Sequence, residues 1–66
     1  MRTAHLVAIA VAIKYVPVGE WARHTTYHLL EVVDLVDVKY ACVQMHVSTQ
    51  QNRPDGIAGP AFWREL

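Results

Sequence analysis

A single cysteine, Cys42, occurs among the 66 residues of this chain, so no disulfide within the chain can stabilise its fold. At this length the free energy gained by burying apolar surface nearly cancels the conformational entropy that folding removes. Small chains of this kind are commonly stabilised by a bound metal or by association with another chain. Apolar residues make up 53% of the sequence and charged residues 18%, which favours association.

The balance of charges argues against a nucleic-acid-binding function. The sequence contains six basic and six acidic residues, so the formal net charge at pH 7 is zero. The basic residues are dispersed along the chain, so we expect no stripe that follows a phosphate backbone. A lone cysteine is compatible with a reducing compartment, and we expect a cytoplasmic location.

The apolar run from Leu6 to Ile13 resembles the hydrophobic part of a signal peptide. It is only eight residues long and ends at Lys14, whereas a transmembrane helix needs about 20 residues. No convincing cleavage site of small residues follows it. We therefore expect neither secretion nor a membrane span. The alternative is a small subunit of a membrane-associated complex, with residues 4–13 inserted shallowly.

Branched residues alternate with alanine between Val7 and Ile13, which is the period of a β-strand. Both faces of this segment are apolar, as in a central strand covered on two sides. The pattern predicts a strand over about residues 5–16. At about 3.3 Å per residue it would span roughly 40 Å, more than the width of such a small globule. The strand therefore bends, is shorter than it looks, or reaches into a neighbouring subunit.

Pro17 and Gly19 are predicted to end this strand, and the period then changes to that of an amphipathic helix over about residues 20–33. A second strand is predicted over about residues 38–48. Its buried face is expected to consist of Ala41, Val43, Met45 and Val47. The order strand, helix, strand predicts an α+β fold built on one βαβ unit, whose small sheet is completed by a partner subunit.

The C-terminal third divides into two parts, which follow a βαβ core over residues 1–48. Residues 49–60 are polar and rich in turn-forming residues, and are predicted to form a loop. Residues 61–66 carry adjacent aromatic residues and are predicted to be an arm that docks on its own core or on another chain. The candidate partner-binding residues are Tyr40, Phe62, Trp63 and Leu66.

One stripe of the predicted helix could bind a metal ion. Glu20, His24, His28 and Glu31 would lie on one helix face, and histidines four residues apart can share a divalent transition metal such as zinc. The ordinary interpretation is a solvated polar face with Glu–His pairs. A metal-binding module or a small metal-dependent enzyme is therefore an alternative function.

Cys42 and His46 suggest a nucleophile with its base, or two zinc ligands. Along a strand they would be about 13 Å apart, which is too far for either role. We therefore expect a buried or interfacial thiol.

The sequence contains neither a phosphate-binding loop nor a hydrolase motif. The leading interpretation is therefore a small non-enzymatic interaction or assembly subunit, which forms a homo-oligomer or docks on a larger protein.

Overall fold

The computed structural model describes residues 14–66, which form two small β-sheets. The larger sheet has the strand order β1-β3-β4-β6, and the smaller one pairs β2 with β5. The strands are β1 (Val16–Glu20), β2 (Thr26–Tyr27), β3 (Glu31–Leu35), β4 (Val38–Cys42), β5 (His46–Val47) and β6 (Trp63–Glu65). A 3-10 turn over Gly59–Ala61 precedes β6.

The prediction of an α+β fold with a βαβ unit is wrong, because residues 14–66 contain no α-helix. Strands β1 and β3 are parallel neighbours, but β2 and two loops connect them in place of a helix. His24 and Leu30 have φ values of 60° and 73°, which a continuous right-handed helix does not allow. Nothing in this part of the chain is a helix long and apolar enough to cross a membrane.

The predicted N-terminal strand is only partly covered by the structure, since its residues 5–13 lie outside the described residues. Its last residue, Val16, is the first residue of β1. Pro17 and Gly19 do not end the strand as predicted but lie within it, at a bulge in the pairing with β3. Proline is tolerated there because β1 has a neighbour on one side only among the described strands.

The predicted strand over residues 38–48 is two strands, because the chain bends at residues 43–45 between β4 and β5. The two strands belong to different sheets, so the alternation of buried and exposed residues does not continue across the bend. Ala41 is buried as predicted, but Val43, Met45 and Val47 are exposed. Cys42, predicted on a mixed face, is fully buried.

A four-residue core cluster is formed by Tyr27, Val33, Cys42 and Trp63, with Trp21, Tyr40 and Phe62 packed at its margin. Cross-strand pairing explains this arrangement. Val33 lies opposite Tyr40, and Cys42 lies opposite Trp63. The four side chains of these two pairs share one face of the larger sheet. Tyr27 of β2 covers that face, with its ring in edge contact with Trp63 at 5.2 Å.

The predicted loop over residues 49–60 is held by hydrogen bonds of the buried residue Asn52. Its side-chain oxygen accepts the Thr49 N–H at 2.7 Å, and its amide group donates to the Val47 carbonyl at 3.1 Å. Its backbone carbonyl accepts the indole N–H of Trp63 at 3.0 Å. The arm that follows therefore docks on its own chain, where β6 pairs with β4.

Two residues with positive φ connect β3 to β4. Val36 and Asp37 have φ values of 49° and 64°, as the two-residue type I′ hairpin turn requires. Asparagine, aspartate and glycine suit such positions, but a β-branched residue such as valine is strained there. Val36 is also 81% exposed, so no burial of its side chain offsets the strain.

Replacing Val36 with asparagine is expected to raise the free energy of unfolding by about 1 kcal/mol, because asparagine relieves the steric conflict at positive φ. Urea unfolding followed by circular dichroism measures the change. Val36→Ile retains the branched Cβ and is the matched control, for which we expect unchanged stability. A Val36→Asn protein no more stable than Val36→Ile would show that the turn is unstrained.

Candidate functional site

The residues predicted to bind a metal do not come together as a helix would have placed them. Of the four, only His28 and Glu31 are in contact, with 3.6 Å between His28 Nδ1 and Glu31 Oε1. The same carboxylate oxygen accepts the His28 backbone N–H at 2.7 Å, so Glu31 closes the turn that precedes β3. Among residues 14–66, no three His, Cys, Asp or Glu residues are grouped closely enough to hold a metal ion.

Cys42 and His46, expected to be about 13 Å apart along a strand, are neighbours. The bend between β4 and β5 brings Cys42 Sγ to 3.7 Å from His46 Nδ1, so the expectation of two distant residues is wrong. The carbonyl of Gln44 lies inside the bend, 3.1 Å from the thiol and 2.8 Å from Nδ1. Because a carbonyl can only accept, both groups donate their hydrogen to it.

This Cys–His pair has the geometry of a structural contact and lacks that of a catalytic dyad. With its hydrogen on Nδ1, the His46 ring cannot accept the thiol proton at that atom. Burial, and to a smaller extent the Glu31 carboxylate, raise the pKa of the Cys42 thiol above its usual value. Cys42 is therefore a protonated, fully buried thiol that packs as a small apolar side chain.

Aromatic rings pack around His46. Phe62 lies 4.6 Å from the imidazole between ring centroids, and Trp63 meets it edge-on at 5.2 Å. His46 Nε2 is buried and has no hydrogen-bond partner among the described residues. The ring thus serves as part of the aromatic packing that joins β5 to β6.

The predicted partner-binding residues are mostly used within the chain itself. Trp63 is 5% exposed and belongs to the core, and Tyr40 and Phe62 pack against that core. Leu66 is exposed, while its backbone N–H donates to the Lys39 carbonyl at 2.9 Å. Of the four residues, Leu66 is thus the one whose side chain is most available to another chain.

A different set of exposed apolar residues gathers at one end of the larger sheet. We name this surface the apolar end. Each member is between 41% and 61% exposed, and the members are Tyr15, Val16, Leu29, Val43 and Met45. The sequence pattern had placed two of them, Val43 and Met45, on a buried face.

Backbone hydrogen bonds bring the segments of the apolar end together. The Val16 N–H donates to the Leu30 carbonyl at 3.0 Å, and the Leu30 N–H donates to the Cys42 carbonyl at 2.8 Å. The Val43 N–H donates to the Phe62 carbonyl at 2.8 Å. The first bond joins the start of β1 to the residue before β3. The second joins that residue to the end of β4, and the third joins the residue after β4 to the residue before β6. The apolar end is therefore formed by residues distant in sequence.

Among the described strands, the two at the edges of the larger sheet are poorly suited to pairing with another strand. Strand β1 contains Pro17, which lacks an N–H, and the bulge beside it. Strand β6 is only three residues long, and both Arg64 and Glu65 are exposed. Proline, bulges, short length and charge are the features by which proteins discourage edge pairing. The apolar end is therefore a better candidate for association than either edge.

At the opposite end of the sheet lies an open cleft of about 510 Å³. Its lining consists of Glu20, Trp21, Asp34, Leu35, Val36, Asp37 and Lys39. Lys39 Nζ binds Asp34 Oδ1 at 2.7 Å, and the Arg53 guanidinium lies 5.6 Å from the centre of the Trp21 ring. Lys39 and Asp34 thus form an ion pair with each other. The residues that line the cleft do not include a nucleophile paired with a base.

Comparison with protein-family models, curated proteins and solved structures finds no match to this chain.

Proposed function

We propose that this chain is a small, non-enzymatic assembly subunit that self-associates through its apolar end. The observation that carries the proposal is the gathering of five large apolar side chains, each 41–61% exposed, at one end of the sheet. Each Å² of apolar surface that association removes from water contributes about 25 cal/mol to the free energy that favours association. Exposed apolar residues gathered in one region are typical of protein–protein interfaces.

The small core supports the same proposal. Six apolar residues are buried in the part of the chain that the structure describes, and two of them, Ala41 and Cys42, have small side chains. Ten large apolar residues in the same part are exposed. A chain of this size gains little stability from such a core. Association that covers the apolar end would stabilise the folded state by mass action.

A second copy of the chain is the partner that these properties favour. The formal net charge is zero, so two copies meet without long-range electrostatic repulsion. The exposed polar residues next to members of the apolar end in the chain are Lys14, His28 and Gln44, none of which is acidic. Two-fold symmetry is the commonest symmetry among homo-oligomers, and a two-fold axis through the apolar end would bring the apolar ends of two copies together.

Charge placed on the apolar end is expected to abolish self-association. In Leu29→Lys/Met45→Lys, two ammonium groups per copy would have to be buried against their own counterparts, which costs several kcal/mol. We expect the wild-type chain to have a mass that is a multiple of 7.5 kDa and the double variant to be a folded monomer. Native mass spectrometry and light scattering measure the mass, and circular dichroism checks the fold.

The matched control for these variants is Ile57→Lys. Ile57 is 93% exposed in the loop over residues 49–60 and is not a member of the apolar end, so this change adds one positive charge outside that surface. We expect it to retain the wild-type mass. A wild-type chain that is monomeric at high concentration, or a double variant that retains the oligomer, would contradict the proposal.

A further inference from the structure

We propose that Met45 is an oxidation site, and that its conversion to methionine sulfoxide weakens self-association at the apolar end. This inference rests on the proposed function and names a chemical modification that would regulate it. Met45 is a member of the apolar end and is 61% exposed. Its side chain is therefore accessible to an oxidant in any copy whose apolar end is uncovered.

The structure gives the two sulfur-containing residues within residues 14–66 opposite environments. Cys42 is fully buried, whereas Met45 is exposed. Burial also raises the pKa of the Cys42 thiol, so the thiolate, which is the form that reacts with peroxides, is scarce. We therefore expect a peroxide to oxidise Met45 before Cys42.

The bend between β4 and β5 holds Met45 at the surface. On one side of Met45, the Gln44 carbonyl accepts the Cys42 thiol at 3.1 Å and His46 Nδ1 at 2.8 Å. On the other side, the His46 ring packs against Phe62, with 4.6 Å between centroids. These contacts do not involve the Met45 side chain, so we expect oxidation to change the surface of the protein and to leave its core intact.

The reaction transfers one oxygen atom from hydrogen peroxide to the thioether. A sulfur lone pair attacks one peroxide oxygen, the O–O bond breaks, and the other oxygen leaves as water while the thioether is oxidised to the sulfoxide. Four of the five members of the apolar end have side chains without a hydrogen-bond donor, so burying the polar sulfoxide there is unfavourable. We expect the dissociation constant of the assembly to rise about tenfold.

Association is expected to protect Met45 in turn, because a covered side chain is out of reach of the oxidant. With peroxide in large excess, the oxidation rate of Met45 should fall in proportion to the monomer fraction as the protein concentration is raised. Leu29→Lys retains Met45 but places a charge on the apolar end, and its rate should not depend on protein concentration. An oligomeric wild-type chain whose Met45 is oxidised at a concentration-independent rate would overturn the inference.

Treatment of the chain with hydrogen peroxide, followed by removal of the peroxide, tests the effect on assembly. Sedimentation velocity over a series of concentrations gives the dissociation constant before and after treatment, and peptide mapping by mass spectrometry locates the added oxygen. The wild-type chain is expected to lose affinity about tenfold, with an unchanged circular dichroism spectrum. Methionine sulfoxide reductase with a dithiol, which returns the oxygen as water and leaves a disulfide, should restore the affinity.

Two variants assign the effect to Met45. Met45→Leu keeps an apolar side chain of similar volume together with Met1 and Cys42, and its affinity should not respond to peroxide. Met1→Leu keeps Met45 and should respond as the wild-type chain does. If the wild-type chain carrying the Met45 sulfoxide keeps its affinity, or if Met45→Leu loses as much, the inference fails and the proposed function stands. A wild-type chain that is monomeric before treatment would overturn both.

Discussion

Replacing Trp63 with alanine is expected to lower the free energy of unfolding by about 3–5 kcal/mol, enough to unfold most of a chain this small. The indole is 5% exposed and contacts the rings of Tyr27 and His46, each 5.2 Å away between centroids. Truncation would leave a cavity that these rings cannot fill. It would also remove the N–H that bonds the Asn52 carbonyl and holds the loop over residues 49–60.

Two variants separate these contributions in urea unfolding measured at one fixed protein concentration. Trp63→Phe retains an aromatic ring but loses the N–H, and we expect a smaller loss of about 1–3 kcal/mol. Leu66→Ala removes an exposed side chain three residues away and is expected to change stability by less than about 0.5 kcal/mol. If Trp63→Ala costs no more than Leu66→Ala, then Trp63 is not the core residue that the structure describes.

The second large effect is expected at Gly59, where Gly59→Ala should lower the free energy of unfolding by about 2–3 kcal/mol. A Cβ atom at this position would lie 2.5 Å from the carbonyl oxygens of Arg53 and Pro54. Both contacts are with backbone, so no side-chain rotation relieves them. Gly59 does not have a positive φ, so the expected cost is steric.

Gly19 provides the contrasting control for Gly59. A Cβ at Gly19 would meet no atom within 4 Å, but its φ of 100° is unfavourable for other residues. Gly19→Ala is therefore expected to cost about 1 kcal/mol through conformation alone. Ile57→Ala, in the same loop as Gly59, should change stability by less than about 0.5 kcal/mol. Equal losses for Gly59→Ala and Gly19→Ala would contradict the steric explanation.

The predicted helix over residues 20–33 failed for a reason visible in its residues. Trp21, Leu29 and Val33 recur at intervals that place them on one side of a helix, but the segment also contains Thr25-Thr26-Tyr27 and Val32-Val33, which favour strands. Local spacing alone did not distinguish these alternatives. Hydrogen bonds between distant segments favour the strands. The Leu30 N–H donates to the Cys42 carbonyl, and β3 pairs with both β1 and β4.

The candidate interaction surface was even less accessible to sequence reasoning. Val43 and Met45 were predicted to be buried because they continue the alternation of Ala41, yet the bend after Cys42 exposes both. The same bend places Cys42 beside His46, a contact that a straight strand forbids. A bend of three residues without glycine or proline left no clear signal in the sequence.

By itself, the sequence determined the properties that depend on composition and on strong local signals. These are the absence of an internal disulfide, the neutral charge, the small core and the loop over residues 49–60, whose Pro54, Gly56 and Gly59 favour turns. Tertiary structure alone decided that residues 20–33 form short strands and turns in place of a helix, and that Leu29, Val43 and Met45 lie at one end of the sheet. The physical reason is that hydrophobic periodicity constrains which side chains can share a face, whereas backbone pairing between distant segments selects the face that is buried.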